Sequence, residues 1–115
     1  MIIMDNDVFQ YFKDIPVKEI APGFFSQLIH LENNTFNFVK VKAGCSIPVH
    51  QHIHHQCAFA LDGKFELVVN GDPQILEPGS RFALVPSNVP HGGRAITDCV
   101  MLDIFSPARE DYRNL

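Results

Sequence analysis

Turn-forming pairs recur along this chain at short, regular intervals, and this spacing limits the folds open to it more than any other feature. They are Pro22-Gly23, Asn33-Asn34, Ala43-Gly44, Asp62-Gly63, Asn70-Gly71, Pro78-Gly79 and the segment from Pro86 to Asn88. Between them lie runs of about 5 to 10 residues rich in Val, Ile, Phe and Thr, such as "TFNFVKVK" and "RFALVP". Short strands at this spacing predict an all-β fold, an antiparallel sandwich or barrel.

Two of these turns are predicted to close tight hairpins. Asp62-Gly63 and Asn70-Gly71 are pairs that accept the positive φ angles of primed two-residue turns. Helical periodicity is weak throughout, and we expect at most a short helical turn in "NDVFQYF" near the start of the sequence.

Length and charge limit both the domain count and the class of partner. The 115 residues, 46% of them hydrophobic, predict one domain spanning residues 1–115 with a single core. The formal net charge of −4 argues against nucleic acid and anionic membranes as partners, because no basic block is present to neutralise phosphates. No apolar run approaches the length of about 20 residues that spans a bilayer.

The chain carries the features expected of a cytoplasmic protein. The segment "MIIMDNDVFQ" has acidic residues where a signal peptide has a positively charged region. The three cysteines Cys45, Cys57 and Cys99 are an odd number, are widely spaced and form no CxxC pair. We therefore expect reduced thiols and a cytoplasmic location.

A histidine cluster dominates the stretch "PVHQHIHHQCAFALDG". On a strand, His50 and His52 would project from the same face, roughly 7 Å apart, and could lean onto one ion. Gln56 keeps the same parity after a short turn, and the distant "VPSNVPHGGRA" segment offers His91. Three imidazole nitrogens and one amide oxygen suit a borderline divalent metal such as Zn, Ni, Fe, Co or Mn.

A bare HxH pattern is more often a solvated turn than a metal site. The order of HxH, Gln, Gly, Pro and His in this sequence favours the metal site instead. The roles of His54 and His55 stay open: one could face the site behind the ligands, and at least one is expected to be solvent-exposed.

The last strand-like run, "CVMLDIFSP", places a carboxylate among apolar residues. Asp103 shares one face with Phe105, and a buried charge is costly unless it is paired or used. Asp103 is either a general acid/base beside the metal, with Phe105 as a pocket wall, or an acceptor that orients a ligand histidine. Arg109 and Arg94 are candidate anchors for a substrate carboxylate, although surface charges are the commoner role for single arginines.

Two segments of the chain resemble the two motifs of the cupin superfamily. The first runs from Gly44 through His50, His52 and Gln56 to Gly63, and the second is "PGSRFALVPSNVPHGGRA", which ends beyond His91. The resemblance implies a jelly-roll barrel with a bound metal. Gln56 stands where a glutamate ligand is usual, so the metal would keep its full charge of +2. Such a centre favours isomerisation, tautomerisation or lyase chemistry on an acid over oxygen chemistry.

The tail "LDIFSPARED" is similar to the end of small single-domain cupins that act in pectin and alginate breakdown. Those proteins convert 4,5-unsaturated uronates to linear 4-deoxy-5-keto uronates. The resemblance implies His50, His52, Gln56 and His91 as metal ligands. It also implies an acid/base role for Asp103 and substrate contacts for Phe105 and Arg109.

Two other functions remain open from the sequence. One is an iron-dependent dioxygenase that uses the same ligands, and the other is a non-catalytic, metal-stabilised module that binds a sugar or another small molecule. A homodimer is also expected, because the outward positions Cys57, Phe59 and Leu61 and the segment "FFSQLIHL" are apolar.

Overall fold

The computed structural model describes residues 8–115 and consists mainly of strands arranged in two antiparallel sheets. The ten strands are β1 (Lys18–Ala21), β2 (Phe24–His30), β3 (Thr35–Val41), β4 (Ser46–His50), β5 (His55–Asp62), β6 (Phe65–Val69), β7 (Asp72–Leu76), β8 (Ala83–Val85), β9 (His91–Ala95) and β10 (Cys99–Ser106). A 3₁₀ helix at Phe12–Asp14 precedes them, and a helical turn, α1, at Glu110–Arg113 follows.

The strands form a two-layer jelly roll, which confirms the all-β prediction. One sheet has six strands in the order β1-β2-β3-β10-β5-β8, and the other has four in the order β4-β9-β6-β7. Within residues 8–115, no helix is long and apolar enough to cross a membrane. Of the predicted turn "NDVFQYF", Asn6 and Asp7 lie outside the described residues, as do the first seven residues of "MIIMDNDVFQ".

Only one of the two predicted tight hairpins forms. Asn70 and Gly71, with φ angles of 50° and 77°, join β6 to β7 as expected for a primed turn. The hairpin prediction for Asp62-Gly63 is wrong, because β5 and β6 lie in different sheets. Gly63 instead lets the chain cross between the sheets at a φ of 77°, where a Cβ would collide with the carbonyl oxygen of Asp98.

Alternation along the central strands separates a narrow interior from an apolar outer face. On β3 the buried positions are Thr35, Asn37, Val39 and Val41, whereas Phe36 and Phe38 keep part of their surface exposed. The inward residues of β5 are Gln56, Ala58 and Ala60, all buried. Small and polar side chains therefore face the space between the sheets, which leaves a cavity there.

Candidate metal centre

Three histidines meet at one end of the space between the sheets. His50, at the end of β4, is paired directly with His91, at the start of β9, and their rings lie 4.5 Å apart between centroids. His52 lies in the turn that follows β4, with its ring 4.8 Å from that of His91 and 5.7 Å from that of His50. Their ligand nitrogens lie within 4.8 Å of one another, so they could hold one metal ion. The strand geometry expected for His52 is replaced by a turn.

The backbone fixes the orientation of all three imidazole rings. Each Nδ1 lies at hydrogen-bonding distance from a backbone carbonyl oxygen: His50 from Pro48 at 2.9 Å, His52 from His54 at 3.0 Å, and His91 from Val89 at 2.8 Å. A carbonyl oxygen can only accept, so each Nδ1 donates a proton. In the neutral ring each Nε2 then presents a lone pair, as a metal ligand must.

Two further observations show that these residues fit a cation. The Nε2 of His52 lies 3.1 Å from Oε1 of Gln56, so two atoms that both act as acceptors face each other. The Nε2 of His91 is buried and has no hydrogen-bond partner within residues 8–115. Facing lone pairs and an unpaired buried nitrogen are unfavourable in an empty site, and a bound cation would satisfy all of them.

The surroundings favour the neutral form of two of the rings. Burial, helped by the positive charge of Arg109, lowers the pKa of His52 below its ordinary value. The pKa of His91 is also lowered, mainly by burial. Neutral imidazole is the form that coordinates metal, so both shifts favour binding near neutral pH.

Besides the histidines, the site contains a carboxylate next to Gln56. Asp103 lies on β10, with its side chain on the cavity wall. Burial raises its pKa to about 6, against the opposing effects of a side-chain hydrogen bond with Gln56 and the charge of Arg109. With Oε1 facing His52, the amide nitrogen of Gln56 is the donor to the carboxylate. Asp103 is thus placed both to orient Gln56 and to exchange a proton with a ligand in the cavity.

Phe105 and Arg109 close the cavity on the same side. The ring of Phe105 lies edge-on to that of His52, 5.6 Å between centroids. The guanidinium of Arg109 lies 4.7 Å from the Phe105 ring centroid and 3.9 Å from that of Tyr112, and both residues line the cavity. The predicted pocket wall and the predicted arginine therefore stand next to the histidine cluster.

Arg109 is held firmly by its neighbours. Asp111 accepts hydrogen bonds from Nε at 3.0 Å and from Nη2 at 2.7 Å, and Arg109 as a whole is only 8% exposed. Burial opposes the charge, but hydrogen bonds with Asp111 and Tyr112 and the negative charge of Asp111 outweigh it and raise the pKa of Arg109. The backbone N–H of Arg109 donates to the buried hydroxyl of Thr35 at 2.8 Å. The site thus contains a preorganised positive charge.

The structure does not bring Arg94 to the cavity. Arg94 lies on β9 with more than half of its side chain exposed, and its Nε donates to Glu66 at 3.2 Å. Its strand parity is opposite to that of His91, which explains why a position three residues later points outward. Of the two histidines whose roles were open, His55 is exposed, whereas His54 is half-buried against Phe105. The Nδ1 of His54 has no hydrogen-bond partner in the described part of the chain.

Two residues that line the cavity, Tyr112 and Asn37, are not predicted by the sequence, nor is Asp111, which holds Arg109. Tyr112 and Asp111 follow the last strand, where no periodic pattern predicts the path of the chain. Asn37 lines the cavity from β3 and is 2% exposed. Its alternation with Phe36 and Phe38 was the available signal, because a lone amide on the inward face of a strand is unusual.

Comparison with known proteins places these features in a family. Residues 37–105 match the model of the cupin domain. The chain is 32% identical over 111 residues to the pectin degradation protein KdgF of Dickeya dadantii (strain 3937), which covers 90% of this chain and 97% of that protein.

Two solved structures are similar over nearly the whole of both chains. KdgF from Halomonas sp. matches with a TM-score of 0.83 and 28% identity, over 90% of this chain and 96% of that one. An RmlC-like cupin from Shewanella frigidimarina NCIMB 400 also gives a TM-score of 0.83 and 28% identity, over 90% and 94%. These matches agree with the two-sheet architecture of the chain.

Proposed function

The chain belongs to the cupin domain family, and on that premise we propose that it is a metal-dependent enzyme that converts 4,5-unsaturated uronates to linear 4-deoxy-5-keto uronates. One observation carries the proposal: a three-histidine cluster, a partly buried carboxyl and a fixed arginine line the same cavity. Similarity to a protein named for pectin degradation supports a sugar acid as the substrate class.

We assign the metal ligands to His50, His52, Gln56 and His91. All four would be neutral, so a bound divalent ion such as Zn, Ni, Mn, Fe or Co would act as a Lewis acid that withdraws charge from a carboxylate and the adjacent enol oxygen. The amide of Gln56, oriented by Asp103, would keep its oxygen directed towards His52.

Asp103 is the proposed proton carrier of the reaction. In ring opening, the hemiacetal hydroxyl loses its proton, the bond between C1 and the ring oxygen breaks, and an aldehyde and an enol form. In ketonisation, C4 gains a proton while the enol oxygen loses one, so the overall change is an isomerisation. A carboxyl group placed in the cavity wall can deliver and remove these protons, a contribution typically worth about 10²–10⁴-fold in rate.

Arg109 and Phe105 are proposed to position the substrate. Asp111 engages the Nε and Nη2 edge of the guanidinium, and the rings of Phe105 and Tyr112 flank it. A fixed positive charge at the side of the cavity would attract the anionic end of a uronate without paying to order a flexible side chain. Phe105, stacked edge-on to His52, would exclude water from the same region.

We also propose that two copies of the chain pair through the outer face of the six-stranded sheet. Apart from His55 and Ser106, which are paired at one end, the outward positions of β5 and β10 are apolar: Cys57, Phe59, Leu61, Val100, Leu102 and Ile104. Phe82 stacks on Phe59 at 5.3 Å and is 52% exposed, which extends the apolar surface. Sedimentation velocity on the wild type and on Phe59→Glu tests this: a dimer that dissociates in the variant is expected, and a wild-type monomer would contradict it.

The single-domain extent of residues 1–115 and a cytoplasmic location stay predictions of the sequence.

The reaction itself is tested by identifying the product. Metal-loaded protein is incubated with a 4,5-unsaturated monouronate made by a lyase, and nuclear magnetic resonance is used to look for the linear 4-deoxy-5-keto acid. Oxygen consumption would indicate a dioxygenase instead, and binding without turnover would indicate a binding module.

A further inference from the structure

Asn37 is a buried polar residue whose amide oxygen lacks a hydrogen-bond partner within residues 8–115. It is 2% exposed, and its Oδ1 has no hydrogen-bond partner in the described part of the chain. It is also one of the residues that line the cavity. A buried amide oxygen that is left unpaired opposes folding, so its place in a cavity wall calls for a partner from outside the protein.

Strand register places Asn37 directly beside Asp103. The two residues are paired across β3 and β10, and inward-facing side chains at paired positions have Cβ atoms roughly 4.5–5.5 Å apart. On the other side of Asp103, β5 contributes the methyl group of Ala58. A ligand group that reaches the carboxyl of Asp103 can therefore also reach the amide of Asn37.

The pair forms the deepest polar layer of this wall. One step towards the histidines, the paired positions are Thr35, Phe105 and Gln56, and one step in the other direction they are Val39, Met101 and Ala60. Val39, Met101 and Ala60 offer no hydrogen-bonding side chain, and Ser26, which is paired with Val39 on β2, does not line the cavity. A ligand hydroxyl that passes the metal centre along this wall therefore finds its last polar partner at the level of Asn37 and Asp103.

We propose that Asn37 contacts the substrate directly and accepts a hydrogen bond from a ring hydroxyl of the sugar acid held next to Asp103. This inference rests on the proposed function, since it takes the ligand of the cavity to be a uronate. An amide oxygen with no internal partner costs nothing further to desolvate when a ligand binds, and a polar group built for a hydroxyl discriminates strongly against ligands that lack it.

A matched control lies on the neighbouring strand. Ser26 on β2 is fully buried, and its Oγ also has no hydrogen-bond partner among the residues that the structure describes, but Ser26 does not line the cavity. If Asn37 were only a tolerated buried polar group, replacing either residue by an apolar one would have the same consequence: equal or higher stability and unchanged ligand binding.

The test compares Asn37→Leu, which keeps the shape of the amide, with Ser26→Ala. The metal-loaded proteins are assayed for kcat and KM on the 4,5-unsaturated monouronate derived from galacturonate, and for the Kd of D-galacturonate by calorimetry. For Asn37→Leu we expect KM and Kd to rise by about 10- to 100-fold, with the melting temperature equal or higher. For Ser26→Ala we expect both constants to be unchanged.

Unchanged KM and Kd in a folded Asn37→Leu protein would overturn the inference while leaving the reaction intact. A fall in kcat alone would also overturn it, because it would mean that Asn37 acts through Asp103. If the wild type binds D-galacturonate but shows no turnover, the proposed reaction fails and the Kd comparison still decides the role of Asn37. A wild type that does neither overturns both proposals. Asn37→Ala serves in place of Asn37→Leu if the latter does not fold.

Discussion

His50 and His91 are directly paired across β4 and β9, and this pairing brings two distant parts of the chain into one site. Gly92, immediately after His91, has no room for a side chain, because a Cβ there would lie 2.9 Å from the carbonyl oxygen of Ile47. The close approach of β9 to β4 therefore depends on this glycine. The site therefore requires this pairing of β4 with β9 as well as the histidines themselves.

Removal of His91 should abolish metal binding. His91→Ala removes a neutral, backbone-oriented ligand, and affinity should fall by more than the roughly 10- to 100-fold that loss of an outer hydrogen-bond partner costs. Calorimetric titration with Zn and Ni measures this. The control is His55→Ala on the same segment, since His55 is exposed. Equal affinity in His91→Ala and the wild type would refute the site.

Asp103→Asn should separate proton transfer from metal binding. The amide keeps the shape of the side chain but cannot carry the proton, so we expect kcat to fall by about 10²–10⁴-fold. Metal content should stay at the wild-type level. Loss of metal in parallel with activity would instead assign to Asp103 the role of orienting Gln56.

Arg109→Gln should weaken substrate binding. Charge-assisted hydrogen bonds contribute about 1.5–3 kcal/mol, so KM should rise by roughly 10- to 100-fold. The melting temperature should also fall, because the guanidinium packs between the Phe105 and Tyr112 rings. Arg94→Gln, which removes only an exposed ion pair with Glu66, should leave KM unchanged. Similar KM values for the two variants would remove Arg109 from the binding site.

The stability of the metal-free protein should depend on pH through His30. Burial and the charge of Arg113 lower the pKa of His30 below its ordinary value of 6.5. Between the lowered pKa and 6.5 the unfolded chain binds more protons than the folded protein does, so the free energy of unfolding falls as the pH falls through this window. The stabilising contribution of the neutral His30 is therefore complete above pH 6.5. His30→Gln removes this contribution. Urea unfolding at pH 7.5 and 5.0 should show a smaller loss in the variant, and an equal loss would contradict the assignment.

Strand periodicity predicts which residues of the last strand face the site, but local sequence does not predict which strands become neighbours. Asp103 and Phe105 lie on the inner face as the alternation in "CVMLDIFSP" indicates, because a strand has a strict period of two. Asn70-Gly71 likewise determines its own turn through the positive φ angles it tolerates. These features depend only on neighbouring residues.

The remaining features depend on which strands become neighbours. Asp62-Gly63 has the composition of a hairpin turn, but β5 pairs with β10 and β8, so the chain crosses to the other sheet. Arg94 is close to His91 in sequence, yet its parity turns it outward. Asn37 can be recognised as a site residue only from its pairing with Asp103, because the two strands that carry them are far apart in the sequence.

The central claim is tested most directly by the ultraviolet absorbance of a 4,5-unsaturated monouronate, whose conjugated double bond is lost on ketonisation. Wild type and His50→Ala are each loaded with Zn, Ni, Mn or Fe(II), and the variant corrects for the spontaneous reaction. The account predicts a metal-dependent acceleration in the wild type that is absent from His50→Ala. Equal rates in the two proteins with every metal would contradict it.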